Sequence, residues 1–133
     1  MLGAVVAGGT IGVAARELVM LPFSAGSTVQ TDSLVVPAVT MAVNVLGSFA
    51  LGLVVGRLGD RRPTVRAFLG PGVLGGFTTY SAFAVQTAAL AGSAPAAGFA
   101  LAAVSVVLGL VAAALGLGIA SRDARGPHVE PRS

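Results

Sequence analysis

The chain has 133 residues, of which 55% are hydrophobic and only 10% charged, with a formal net charge of +3 and no cysteine. So little charge cannot cover a soluble domain of this length, and a mean hydropathy of +0.91 points the same way: the composition is that of an integral membrane protein. Disulfide and thiol chemistry are excluded, and the arginines stand at the edges of apolar stretches, where membrane topology accounts for them better than nucleic acid does.

A helix that crosses a bilayer needs about 20 mostly apolar residues. Four stretches qualify, at about 2–22, 34–56, 67–90 and 96–120. They are joined by a polar loop at 24–33, a basic turn at 57–66 and a tight turn at 92–95. Residues 1–120 thus read as one four-helix transmembrane domain and 121–133 as a polar tail. The N-terminus lacks a basic n-region, so no cleaved signal peptide is expected.

In the first span, Gly8 and Gly12 form a small-xxx-small pair suited to close helix packing. Arg16 reads either as an anchor whose head reaches the interface or as a positive charge at a vestibule, with Glu17 beside it partly neutralising it. In the second span Thr40, Asn44, Ser48, Gly52 and Gly56 each follow the last by four residues, a slowly drifting helix face. The glycines there read as packing. Asn44 is more informative, because an amide at membrane depth is expensive unless paired; it serves either an interhelical hydrogen bond or a solvated path.

The third span carries the densest signal, Leu69-Gly-Pro-Gly-Val-Leu-Gly-Gly-Phe-Thr-Thr-Tyr-Ser-Ala-Phe83. Backbone groups in lipid must be satisfied internally, so a break there needs shelter in protein or beside a cavity. Residues 70–76 are expected to interrupt the helix and to aim carbonyls or amides at a ligand, or else to let neighbouring helices approach. Tyr80 and Phe83 share a face beyond the break, with ring edges able to face an anion. The fourth span is almost entirely Ala, Val, Leu and Gly; its one hydroxyl, Ser105, would by default bond back to its own helix.

Enzyme chemistry finds no footing. His128 lies in the tail, and Asp32, Asp60, Asp123 and Glu130 lie in loops or the tail, so no nucleophile–base pair forms at membrane depth. Any buried cation would have to be hard and held by oxygen dipoles.

Taken together, Gly8-Gly-Thr-Ile-Gly-Val-Ala-Ala-Arg16, Val43-Asn-Val-Leu-Gly-Ser-Phe49, Gly75-Gly-Phe-Thr-Thr-Tyr-Ser-Ala-Phe83 and Ser105-Val-Val-Leu-Gly109 resemble the small four-helix fluoride channels, the Fluc or CrcB-like family. The likeness covers all four spans in order, and the third-span run is its most specific part. It implies an all-α membrane protein with a broken third helix, assembled as an antiparallel dimer with two fluoride pores and a central, structural sodium ion. The carbonyls of Gly75 and Thr78 would supply half of that sodium site. Asn44, Tyr80 and Phe83 would line the pore, Thr79, Ser81 and Ser105 would offer hydroxyls along it, and Arg16 would be the vestibule cation. Two residues depart from the pattern. Tyr80 stands where the family usually has phenylalanine, and Leu101 and Gly109 flank Ser105 where further hydroxyls are common.

With a cytoplasmic N-terminus, Arg57, Arg61, Arg62, Arg66, Arg122, Arg125 and Arg132 all face the cytoplasm and only Arg16 falls toward the outside. Such a bias fixes one orientation. An antiparallel pair then calls for a homologous chain of opposite topology, a heterodimer rather than a homodimer. The expected place is the cell (inner) membrane, the expected ligand fluoride, the surroundings lipid. Two rival functions remain at this point: a small multidrug-type proton-coupled exporter, which wants a mid-span carboxylate this chain lacks, and a non-conducting structural subunit, for which packing glycines would suffice.

Overall fold

The computed structural model describes residues 1–24 and 35–123, which are helical almost throughout and contain no strand. Helix α1 is Leu2–Ser24 and α2 is Val35–Leu58. A composite helix, α3, covers residues 63–77: an α-helical start at Pro63–Ala67, a π-helical stretch at Phe68–Leu74 and one further turn at Gly75–Phe77. Helix α4 is Tyr80–Ser93, and α5 is Pro95–Asp123. Three of these, α1, α2 and α5, are each long and apolar enough to cross a bilayer. The expected third span is present but divided between α3 and α4. The expected loop at 24–33 and the polar tail fall almost wholly outside the described residues.

Proline placement explains much of this. Pro63 and Pro95 open α3 and α5, where the missing N–H would have had no partner. Pro71 stands inside α3, where it cannot donate to the carbonyl four residues back and its ring crowds that carbonyl. The helix widens around it. The Gly75 N–H is shared between the carbonyls of Gly70 and Gly72, the first of these five residues back. Residues 70–76 are therefore not an unwound interruption, as the sequence suggested. They stay helical, over-wide as far as Leu74 and α-helical at Gly75–Phe77, and the backbone opens only after that, at Thr78 (φ −75°, ψ 150°) and Thr79 (φ −136°, ψ 110°).

The packing is that of a protein dissolved in lipid. Large apolar side chains such as Leu2, Leu18, Leu46, Leu110 and Leu115 point outward, while the buried positions hold Thr40, Val43, Thr79, Ala112 and Ala120. Lipid tails solvate leucine as well as another leucine does, so association relies on close backbone approach and a few interhelical hydrogen bonds. A methyl group at Gly8 would run into the Phe68 carbonyl, and one at Gly12 into the Val73 carbonyl. These contacts set α1 parallel to α3. On α2, a methyl at Gly52 would strike the Ala113 carbonyl, and Gly109 lies against Ser48, so α2 and α5 are also parallel and Asn44 is level with Ser105. Between α4 and α5, Gly98 packs on Ala91 across the tight turn.

One end of the molecule collects the positive charge. The turn after α2 uses Gly59 at φ 48°, and Arg66 Nη1 donates to the Gly59 carbonyl (3.2 Å) and to Asp60 Oδ1 (3.0 Å). Met1, Asp60 and Arg66 border a cavity of about 340 Å³ at this end. Arg57, Arg61 and Arg62 lie in or beside the same turn, and Arg122 sits near the end of α5, which runs parallel to α2. Arg16 lies toward the opposite end of α1.

Candidate functional site

The two threonines after α3 are held open by a side chain from α2. Asn44 Oδ1 accepts from the Thr79 N–H (2.9 Å), and Asn44 Nδ2 donates to the Thr79 carbonyl (3.2 Å). One amide thus satisfies both backbone groups of a residue that is only 7% exposed. Thr79 then caps α4: its Oγ1 accepts from the Ala82 N–H at 3.2 Å and pairs with Ser81 Oγ at 3.3 Å. Thr78 Oγ1 and Thr78 N–H both donate to the Leu74 carbonyl, at 2.9 and 3.0 Å. Gly47 lets this turn seat against α2, since a methyl there would overlap Thr78 Cγ2.

These bonds have a consequence for the carbonyls expected to bind a cation. In an unbroken helix Gly75 would receive the N–H of Thr79, and Thr78 that of Ala82. Here Asn44 takes the first and the Thr79 hydroxyl takes the second. Both Gly75 and Thr78 lose their ordinary helical donors through side-chain substitution at one point. Oxygen dipoles released in this way suit a hard monovalent cation and need no carboxylate.

The break faces a cavity of about 430 Å³ bordered by Asn44 and Ser48 of α2, by Gly75, Thr78 and Thr79, and by Tyr80 and Phe83 of α4. The two rings stand 6.2 Å apart, tilted by 51°, so the shared face inferred from their spacing is real. Tyr80 is 82% exposed at the cavity's edge. The cavity offers neutral donors and ring edges: one Asn44 N–H is left over from the clamp, and Ser48 adds a hydroxyl.

Not every residue singled out in the sequence converges here. Ser81 is exposed and joined to Thr79. Arg16 bonds its neighbour Glu17, Nη2 to Oε1 at 2.9 Å, and does not border the cavity. Ser105 does not border the cavity, and its hydroxyl is buried and without a partner rather than bonded back to its own helix. A second amide, not among the residues expected above, also lies at membrane depth: Gln86 Nε2 donates at 3.0 Å to Oγ1 of Thr40, which is 1% exposed. Gln86 carries the same sequence signal as Asn44, an amide inside an apolar span that is expensive unless paired. Thr87, whose buried hydroxyl is also unpartnered, left no such signal.

Residues 3–117 match the family model described as CrcB-like protein, Camphor Resistance (CrcB). A protein of Leifsonia xyli subsp. xyli named fluoride-specific ion channel FluC 2 is 41% identical over 128 residues, covering 90% of this chain and 83% of that one. The fluoride-specific ion channel FluC of Mesorhizobium japonicum is 40% identical over 121 residues, 87% of this chain and 92% of its own. That of Rhodospirillum centenum is 44% identical over 93 residues, 68% and 70% of the two chains. With its four-span plan and a family match running through every described span, this chain belongs to the CrcB-like family of multi-pass membrane proteins.

Proposed function

We propose that the chain is a subunit of a fluoride-specific ion channel that lets fluoride leave the cytoplasm passively, with a structural sodium ion at the centre of an antiparallel dimer. The observation that carries this reading is the Asn44–Thr79 clamp. It frees the Gly75 carbonyl, the Thr79 hydroxyl that caps the next helix frees that of Thr78, and beside them lies a cavity furnished with neutral donors. Gly75 and Thr78 would hold the sodium ion, whose charge would make the surroundings less hostile to an anion. The relatives' printed names support fluoride as the ion.

Fluoride is small and tightly hydrated, so shedding water is costly unless donors replace it step by step. Asn44, the Tyr80 and Phe83 edges and the hydroxyls of Thr79, Ser81 and Ser105 supply such donors without a fixed charge that would hold the ion. Arg16, tied to Glu17, would act as a screened cation near the mouth. An inside-negative potential drives the anion outward with no coupled ion. The chain is not an enzyme, and the proton-coupled exporter is disfavoured because Glu17, the one acid within the long apolar stretches 2–23, 35–58 and 95–122, is paired with Arg16.

The arginine distribution supports a single orientation with both termini in the cytoplasm. An antiparallel dimer then needs a homologous partner of opposite bias. Three relatives carry the numbered name FluC 2, a numbering that points to more than one such chain in an organism. The test is fluoride efflux from sodium-containing liposomes, with the chain alone and with a co-expressed homologue. Efflux that exceeds chloride efflux and appears with the partner supports the reading. No efflux in either preparation would leave a structural subunit as the better account.

A further inference from the structure

Among the described residues, two buried hydroxyls, those of Thr87 and Ser105, have no hydrogen-bond partner. Thr10, Thr78, Ser93 and Ser121 each donate to a carbonyl three or four residues back on their own helix, at 2.9–3.2 Å. This is the default for a hydroxyl in an apolar medium, where an unmade hydrogen bond is costly. Thr87 on α4 and Ser105 on α5 make no such bond, although both oxygens are buried.

Their positions are related. Ala91 packs on Gly98 across the α4–α5 turn, so the antiparallel register sets residue 84 opposite Ser105. Thr87 is then about 4.5 Å from Ser105 along the helix axes, less than one turn. Thr87 lies four residues after Phe83 and four before Ala91, on the face that runs from the cavity to the α5 contact. Ser105 is level with Asn44, as the α2–α5 register requires. The neighbouring position, Gln86, is tied to Thr40 and closes the side toward α2.

Resting on the fluoride-channel reading above, we propose that Thr87 is a further hydrogen-bond donor to the permeating fluoride, extending the route from Asn44 past Ser105 between α4 and α5. The hydroxyl on α4 serves a stretch where α5 has none, since Leu101 and Gly109 flank Ser105. A buried hydroxyl not spent on its own helix can turn its proton to a passing acceptor and turn away again, which a back-bonded one does not do freely.

The experiment compares Thr87→Val, which keeps the shape and removes the O–H, with Thr87→Ser, which keeps the O–H. Each is purified as the full chain, with the partner chain if efflux requires it, and placed in sodium-containing liposomes. Loss of one donor predicts a fall in fluoride efflux of roughly tenfold for Thr87→Val, with Thr87→Ser within about twofold of the parent and both eluting like the parent on gel filtration. Equal efflux from all three proteins would overturn the proposal, including the case where Thr87→Val lowers only thermal stability and the hydroxyl merely holds a water. Should Thr87→Val not assemble, Thr87→Ala is read by the same criteria. A parent protein that passes no fluoride refutes the channel reading itself, and the role of Thr87 with it, which separates the two failures.

Discussion

Asn44→Ala removes one small side chain and two hydrogen bonds, at 2.9 and 3.2 Å, from the Thr79 backbone. Thr79 is buried, so water does not replace them, and an orphaned backbone group costs about 1–3 kcal/mol. The nearest relief for the Thr79 N–H is the Gly75 carbonyl four residues back, which closes the helix and withdraws that oxygen from the proposed cation site. Taking about 2 kcal/mol as the loss, the preference for the open conformation falls roughly thirtyfold. Assembly should persist, because α2 holds α5 through Gly52 and Gly56, two and three turns away. Fluoride efflux from liposomes, followed with a fluoride electrode, should therefore drop by about that factor while gel filtration is unchanged. An Asn44→Ala protein that conducts at the parental rate, with the parent's sodium dependence, would refute the clamp argument.

Other substitutions address separate parts of the structure. Phe83→Ile removes a ring edge from the cavity and should abolish most fluoride efflux without altering assembly; unchanged efflux would remove Phe83 from the proposed pore. Gly12→Val pushes a side chain into the Val73 carbonyl and should destabilise the α1–α3 contact by about 1–3 kcal/mol, seen as a lower melting temperature in detergent. Gly3→Val, at a position with open space around it, is the control and should melt like the parent. Reporters fused to the C-terminus should signal from the cytoplasmic side alone, and comparable signals from both sides would defeat the fixed orientation.

Helices announce themselves in this sequence because each span is a long apolar run, and their packing faces because glycine recurs at Gly8, Gly12, Gly52 and Gly56. The site was partly legible for a similar reason. Asn44, the paired threonines and the Tyr80–Phe83 spacing are conspicuous in so apolar a chain, and all of them border one cavity. The position of the break was not legible. Gly70, Pro71 and Gly72 look like a rupture, yet a helix can absorb a proline by widening to five-residue hydrogen bonds. The opening at Thr78 and Thr79 depends instead on an amide 35 residues away. Ser105 and Thr87 show the same limit: whether a hydroxyl bonds to its own helix is decided by its neighbours in space, and spacing alone says nothing of it.

At the centre of the account are two carbonyls, Gly75 and Thr78, that have surrendered their helical donors and are proposed to hold sodium. Fluoride efflux measured with sodium on both sides of the liposome, and again with every sodium ion replaced by a large organic cation, tests this most directly. Efflux that collapses without sodium and returns when sodium is restored is the expected result. Efflux that proceeds at the same rate in its absence would contradict it.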